Sequence, residues 1–140
     1  MTTIAWDGRT LAADKQSTWG GTPMRTRKIF RAKHPDGRVM IYGCAGLTHE
    51  CQAYTRWIDG EIEKPDFTDI SILSIDQKGR IWYANQSMLW ARIITKRWAI
   101  GSGCDYALGA MAAGKSAADA IRIASKLDVN TGLGVDTLSH

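Results

Sequence analysis

The sequence predicts an α+β fold of one domain, residues 1–140, in which largely antiparallel sheets carry helices on their outer faces. Three observations predict it. Short β-branched and aromatic runs return on themselves across Gly-containing turns, which is hairpin patterning. Helical periodicity is confined to one stretch in the middle and two near the end, and apolar helix faces need a sheet to cover. A length of 140 residues suits a single domain with a real core, with no repeat, low-complexity tract or linker to divide it.

The elements follow in order. Residues 3–6 are β-branched and aromatic, hence strand-like, and Asp7-Gly8 is a two-residue hairpin signal. Residues 9–14 return as a strand whose Ala12-Ala13 pair suggests close packing of another layer. Residues 15–23 read as a polar, Gly-rich loop. Residues 28–32 and 38–44 form a second hairpin around Pro35-Asp36-Gly37. A helix follows Ala45-Gly46, with Thr48 as N-cap. Cys51, Tyr54, Ile58 and Ile62 form its apolar face, and Lys64-Pro65 is its stop. Residues 70–75 and 80–85 make a third hairpin, and residues 97–101 another short strand. Residues 105–113 are Ala-rich and helical, ending at Gly114. Ser116 with Asp119 three residues on is a capping box for a last helix to about Leu127. Residues 135–138 close the chain as a strand.

Composition narrows the function. Apolar residues make up 44%, and no apolar run approaches the ~18 residues of a membrane span. The first residues carry no charged-then-apolar leader. Cys44, Cys51 and Cys104 form no CxxC, which points to a reducing compartment and away from a zinc site. The expected setting is the cytoplasm, with no membrane partner. The net charge is +4, part of it from Arg25, Arg27, Lys28, Arg31 and Lys33. No recognition motif accompanies that cluster, so it reads as a strand edge or oligomer contact rather than a nucleic-acid site.

Thr2 carries the chemistry. Methionine aminopeptidase removes an initiator Met that precedes a small side chain. Its action would leave Thr2 with a hydroxyl and a free α-amine on one residue, and that amine can serve as general base for the hydroxyl. With a reference pKa near ~8 it needs only a modest downward shift. Downstream come Leu11-Ala12-Ala13-Asp14 with Thr18, then Arg27-Lys28-Ile29, then Gly43-Cys44-Ala45-Gly46. Ala99-Ile100-Gly101-Ser102-Gly103 with Tyr106-Ala107 follows, and Asp128 with Thr131-Gly132 ends the series.

In this order, behind Thr2-Thr3, the series resembles the β-type subunits of proteasomes and more closely the bacterial HslV-type peptidase. The resemblance spans nearly the whole chain. It implies a four-layer α-β-β-α sandwich of N-terminal-nucleophile hydrolases, with a shortened helical layer, since residues 47–69 have room for one helix where the family has two. It implies a threonine-type endopeptidase needing no cofactor, assembled as a homo-oligomer of one ring or stacked rings. Peptide or unfolded protein would be the substrate, and an ATP-dependent unfoldase a possible partner. Lys28 would depress the Thr2 amine pKa, Asp14 would hold Lys28, and the Gly46 N–H would stabilise the oxyanion, glycine allowing close substrate approach. Ser102, Asp128 and Thr131 would surround the Thr2 amine, Thr131 standing where serine is commoner. Thr18 would contact substrate. Cys44 would shape a medium, mostly apolar specificity pocket, or serve simply as a small core residue.

Rival readings remain at this point. Gly109 to Ser116 matches the P-loop pattern, but no strand leads into it. Cys104 with His49 or His140 could suggest a thiol hydrolase, though the histidines are poorly placed in sequence. An inactive structural subunit, or an amidase acting on a small molecule, would keep the same residues.

Overall fold

The computed structural model describes residues 2–33 and 37–140. Its strands are β1 (Thr3–Trp6), β2 (Leu11–Asp14), β3 (Gln16–Trp19), β4 (Thr22–Arg25), β5 (Ile29–Lys33), β6 (Val39–Gly46), β7 (Ile70–Ile75), β8 (Ile81–Asn85), β9 (Ala91–Ile93), β10 (Trp98–Gly101) and β11 (Val135–Leu138). Its helices are α1 (Thr48–Ile58), α2 (Cys104–Ala112) and α3 (Ala117–Leu127). One sheet has the order β10-β1-β2-β11, another β5-β6-β7-β8-β9, and β3-β4 stand apart as a hairpin. Every strand pair described is antiparallel.

Strand alternation explains why β1 and β2 are buried on both faces. Ile4, Trp6, Leu11 and Ala13 point inward and meet Ile29, Ile41, Leu73 and Ile75 of the five-stranded sheet. Ala5, Ala12 and Ala99 point the other way and lie under α2 and α3. These small side chains let Met111 and Ile121 settle onto the sheet, each with no exposed surface. Burying a side chain of that size contributes roughly 1.5–3 kcal/mol. The outer face of the five-stranded sheet is covered by α1, where Tyr54 packs edge-on against Tyr42 with ring centroids 5.4 Å apart. β1 is thus an interior strand buried on both faces, and the candidate nucleophile is the residue that leads into it.

The structure corrects several expectations. The turn after β1 spans four residues, since Trp6 pairs with Leu11. The Asp7 carboxylate organises it by accepting from the Arg9 and Thr10 N–H groups. Residues 15–23 are not a loop: most of them belong to the β3-β4 hairpin, turned by Gly20-Gly21 with φ of 52° and 86°. Thr48 is the first helical residue rather than the cap. Leu47 occupies the cap position without a side-chain bond, and Thr48 Oγ1 turns to Ser17 Oγ at 3.4 Å. α1 ends at Ile58, so Ile62 is not on it; the Gly60 N–H bonds back to the Trp57 carbonyl at 3.0 Å. β9 was unforeseen. The turn expected at residues 35–37 has Pro35 and Asp36 outside the described residues. The capping box holds in one direction, Ser116 Oγ accepting from Asp119 N at 3.2 Å.

Candidate active site

Asp14 ends β2 with no exposed surface, and Lys28 immediately precedes β5. The two meet because β2 and β5 belong to the facing sheets. Lys28 Nζ lies 2.9 Å from Asp14 Oδ1 and also donates to the Gln16 carbonyl. Asp14 is further held by main-chain donors: Thr3 N to Oδ1 at 3.1 Å, Gln16 N to Oδ2 at 3.2 Å and Gly132 N to Oδ2 at 3.1 Å. These donors leave the buried carboxylate with its acceptor sites filled. Burial pushes the Lys28 ammonium below its ordinary value, outweighing the attraction of Asp14.

A second network joins the N-terminal strand to the end of α3. Asp128 Oδ2 accepts from Ser102 Oγ at 2.5 Å and Thr131 Oγ1 at 2.6 Å, while Oδ1 accepts from Asn130 N at 3.1 Å. Its burial alone would raise the carboxyl pKa, but the bonds from Ser102, Thr131 and the Asn130 N–H hold it below the usual range. Ser102 Oγ reaches the Thr2 carbonyl at 3.5 Å, and Thr131 Oγ1 shares a bond with Thr3 Oγ1 at 2.8 Å. Sequence reasoning missed Thr3, whose hydroxyl completes this chain. It also missed Gln16, whose carbonyl receives Lys28 and whose Nε2 donates to the Val129 carbonyl at 3.1 Å. Strand alternation gave a usable signal for Thr3, because it turns successive side chains of β1 to opposite faces. The glycines around Ser102 have the same cause. A side chain at Gly101 would collide with the Thr2 carbonyl, and one at Gly103 with Thr3 Oγ1.

Thr2, Lys28, Cys44 and Gly46 line one cleft of about 590 Å³, walled on the other side by α1. Thr2 is only 5% exposed. Gly46 has φ of 119°, and a Cβ there would strike the Asp69 carbonyl and the Ile70 Cα. The protein's own backbone at Asp69 and Ile70 therefore already demands glycine here, a reason the sequence did not suggest. Thr18 does not line the cleft. It lies on the exposed half of β3, with Gln16 Nε2 3.5 Å from its hydroxyl, and its neighbour Ser17 lines the cleft instead. Cys44 is 2% exposed, and a hydrogen bond with Cys51, then burial, push its thiol well above the ordinary value. Arg25, Arg27 and Arg56 also line the cleft, a cationic contribution that Cys44 alone did not suggest.

The rival motifs dissolve. Gly109 to Met111 lie inside α2, so no phosphate-cradling loop follows a strand there. Cys104 opens α2, His49 lies in α1, and His140 Nε2 is 3.0 Å from the Ile75 carbonyl, so neither histidine is bonded to that thiol.

No protein-family profile and no curated protein sequence matches the chain. Solved structures do. Thiobacillus denitrificans BPH superposes with a TM-score of 0.76 at 20% identity, over 99% of this chain and 96% of that one. Anbu from Hyphomicrobium sp. strain MC1 gives 0.78 at 14% identity, over 100% of this chain and 82% of that one. Anbu from Pseudomonas aeruginosa gives 0.74 at 11% identity, over 100% and 81%. The fold is proteasome-like. HslV from Trypanosoma brucei also aligns, over 99% of both chains at 18% identity, but with a TM-score of 0.68. That corrects the narrower likeness read from the sequence: in shape the chain stands nearer the BPH and Anbu proteins than the HslV type. At these identities the likeness carries the fold and leaves activity to the site.

Proposed function

We propose that the chain is an N-terminal-nucleophile hydrolase of peptide bonds, with Thr2 as nucleophile once Met1 is removed. The observation that carries this reading is the shared cleft of Thr2 and a buried Lys28 anchored by Asp14 at 2.9 Å. We read the packing as a four-layer α-β-β-α stack, with β1 delivering Thr2 to the cleft.

The chemistry follows from the groups present. The Thr2 hydroxyl attacks the amide carbonyl, and its own α-amine takes the proton. The tetrahedral intermediate places an oxyanion, for which the Gly46 N–H is the assigned donor. Collapse expels the leaving amine, which receives the proton, and leaves an ester on Thr2. Water then hydrolyses the ester and regenerates the hydroxyl. Lys28, as a neighbouring cation, lowers the proton affinity of the Thr2 amine by like-charge repulsion. The Ser102–Asp128–Thr131 network fixes the main chain of Thr2 and the side chain of Thr3.

The reading places the protein in the cytoplasm, where its three free cysteines would stay reduced. It also includes self-assembly; the similar Anbu of Pseudomonas aeruginosa is described as a helical assembly. The unfoldase partner belonged to the HslV likeness and is not carried forward.

The test is intact-mass measurement after incubation with a peptide epoxyketone bearing a neutral side chain, a reagent that needs both the hydroxyl and the free amine of an N-terminal threonine. The expected product lacks Met1 and carries one adduct, which Thr2→Ala abolishes. A chain that lacks Met1, is assembled and takes no adduct would overturn the reading and favour a non-catalytic subunit.

A further inference from the structure

The cleft beside Thr2 has a chemical bias that the hydrolase reading does not require. One wall is a single face of α1, where Thr48, Gln52 and Arg56 recur every four residues with Cys51 and Thr55 beside them. The opposite wall runs from Met24 through Arg25 and Arg27 to Phe30. The inner part holds Cys44, Cys51 and Thr48 beside the buried Lys28. The rim is cationic from both sides, with Arg25 and Arg27 on one wall and Arg56 on the other, all exposed. No aspartate or glutamate is among the residues that line the cleft.

Asp14 answers Lys28 from behind, at 2.9 Å. Arg56 pairs with Glu61 at 3.3 Å, but both side chains are more than half exposed, at 59% and 58%, so the pair is weak and exchangeable. Arg27 is stationed at the rim by a bond from its Nε to the Ile29 carbonyl at 3.0 Å and by its position over the Phe30 ring, 5.1 Å from the centroid. A guanidinium held that way keeps its charge while losing little freedom on binding a carboxylate.

We propose that the cleft selects peptides with an acidic side chain next to the scissile bond, received by Arg25, Arg27 and Arg56. The inference rests on the hydrolase reading for the reaction, but not for the binding preference. A glutamate side chain laid along the inner surface would carry its carboxylate to the rim, where charge-assisted bonds to guanidinium groups form. A lysine side chain there would face the three arginines and Lys28 without a carboxylate on the lining. A leucine side chain would fill the space and gain no charge pairing.

The experiment uses the processed protein and three matched fluorogenic peptides differing only in the residue before the cleaved bond: Glu, Leu or Lys. The expected kcat/KM ratio of Glu to Lys is on the order of tenfold or more, about 1.4 kcal/mol in differential binding, and it narrows as salt is raised. Arg25→Glu, Arg27→Gln and Arg56→Gln each lower the Glu-to-Leu ratio, with the Leu peptide as internal reference. Arg25→Glu also improves the Lys peptide. A wild-type preference for Lys or Leu, or ratios unmoved by all three substitutions, overturns the proposal. The same peptides are titrated against Thr2→Ala by fluorescence anisotropy. Tighter binding of the Glu peptide there upholds the preference even if no turnover occurs, and equal binding of all three refutes it. Failure of catalysis is read separately, from the absence of an epoxyketone adduct.

Discussion

Lys28 is held in a balance that the proposed chemistry needs. It is 5% exposed, and its burial disfavours the ammonium more than Asp14 favours it. With a folded pKa below the unfolded value of ~10.4, the unfolded chain binds the extra proton between the two. Stability therefore rises with pH across that window and carries a constant penalty below it. Lys28→Met should remove this alkaline rise, read as urea midpoints at increasing pH toward the unfolded value of ~10.4. An unchanged slope would refute the burial argument. Lys28→Ala should cut turnover by about 10²–10⁴ while the fold persists. Asp14 retains the Thr3, Gln16 and Gly132 N–H groups as donors, which limits the cost of an unpaired carboxylate to below the ~3–5 kcal/mol of a fully orphaned one. Peptide hydrolysis beside far-UV circular dichroism checks both halves, and retained turnover removes Lys28 from the mechanism. On the acid side stability again rises with pH, but there the ionised groups stabilise the fold instead of penalising it. Glu50, Asp76 and Asp128 all have carboxyl pKa values held down, each by several donors that outweigh burial. Their contribution is fully present above the unfolded carboxylate range near ~4 and is lost as pH falls through the depressed folded values. Asp128→Asn should flatten that acid limb, and a variant whose midpoint falls as steeply as wild type below pH ~4 would sink the claim.

At the scale of elements, what the sequence disclosed depended on how local the determining force was. α3 was legible because its cap and its apolar spacing lie within the element: Ser116 bonds Asp119 N at 3.2 Å, and Ala117, Ala120, Ile121 and Ala124 share the buried face. Ser116→Ala should lower stability by about 1 kcal/mol, seen as a reduced urea midpoint with unchanged slope; no change would mean the cap contributes nothing. The β3-β4 hairpin was illegible as long as residues 15–23 were weighed by polarity, although Gly20-Gly21 was a turn signal in its own right. The start of α1 was misplaced because Thr48 is drawn to Ser17, a residue 31 positions away that no local pattern reveals. The residues that the structure gathers at the candidate site were largely visible as residue types, but not the reason for each. Gly46 illustrates this: its glycine is demanded by the approach of β7 at Asp69 and Ile70. Gly46→Ala should therefore destabilise the chain by more than about 1 kcal/mol, whether or not substrate is bound. A loss of activity at unchanged stability would instead restore the substrate-approach explanation.

The whole molecule buries its site where two sheets and a helix meet, yet leaves large apolar side chains on the outside. Trp19 is 61% exposed, Leu89 79%, Ile94 88% and Val129 87%, although the core holds Ile4, Leu11 and Ile121 with none. Single exposed hydrophobes are ordinary, but these project from separate loops and hairpin tips, where a contact with another copy would cover them. Trp19 is the most informative, because it ends β3 at the tip of the hairpin whose other strand leads to Arg25 at the cleft rim. Assembly through that hairpin would fix the cleft wall as well as cover the indole, linking oligomerisation to activity. The expected outcome is a light-scattering mass several times that of one chain at micromolar concentration, falling on dilution together with specific activity. Trp19→Glu should shift the mass toward the single chain and lower activity in parallel. Its folding stability, measured on the dissociated chain, should stay within about 0.5 kcal/mol, since the side chain touches little of its own protomer. A protein that is a single chain at every concentration, or one whose Trp19→Glu variant assembles and turns over like wild type, would remove both the assembly and the role given to the hairpin.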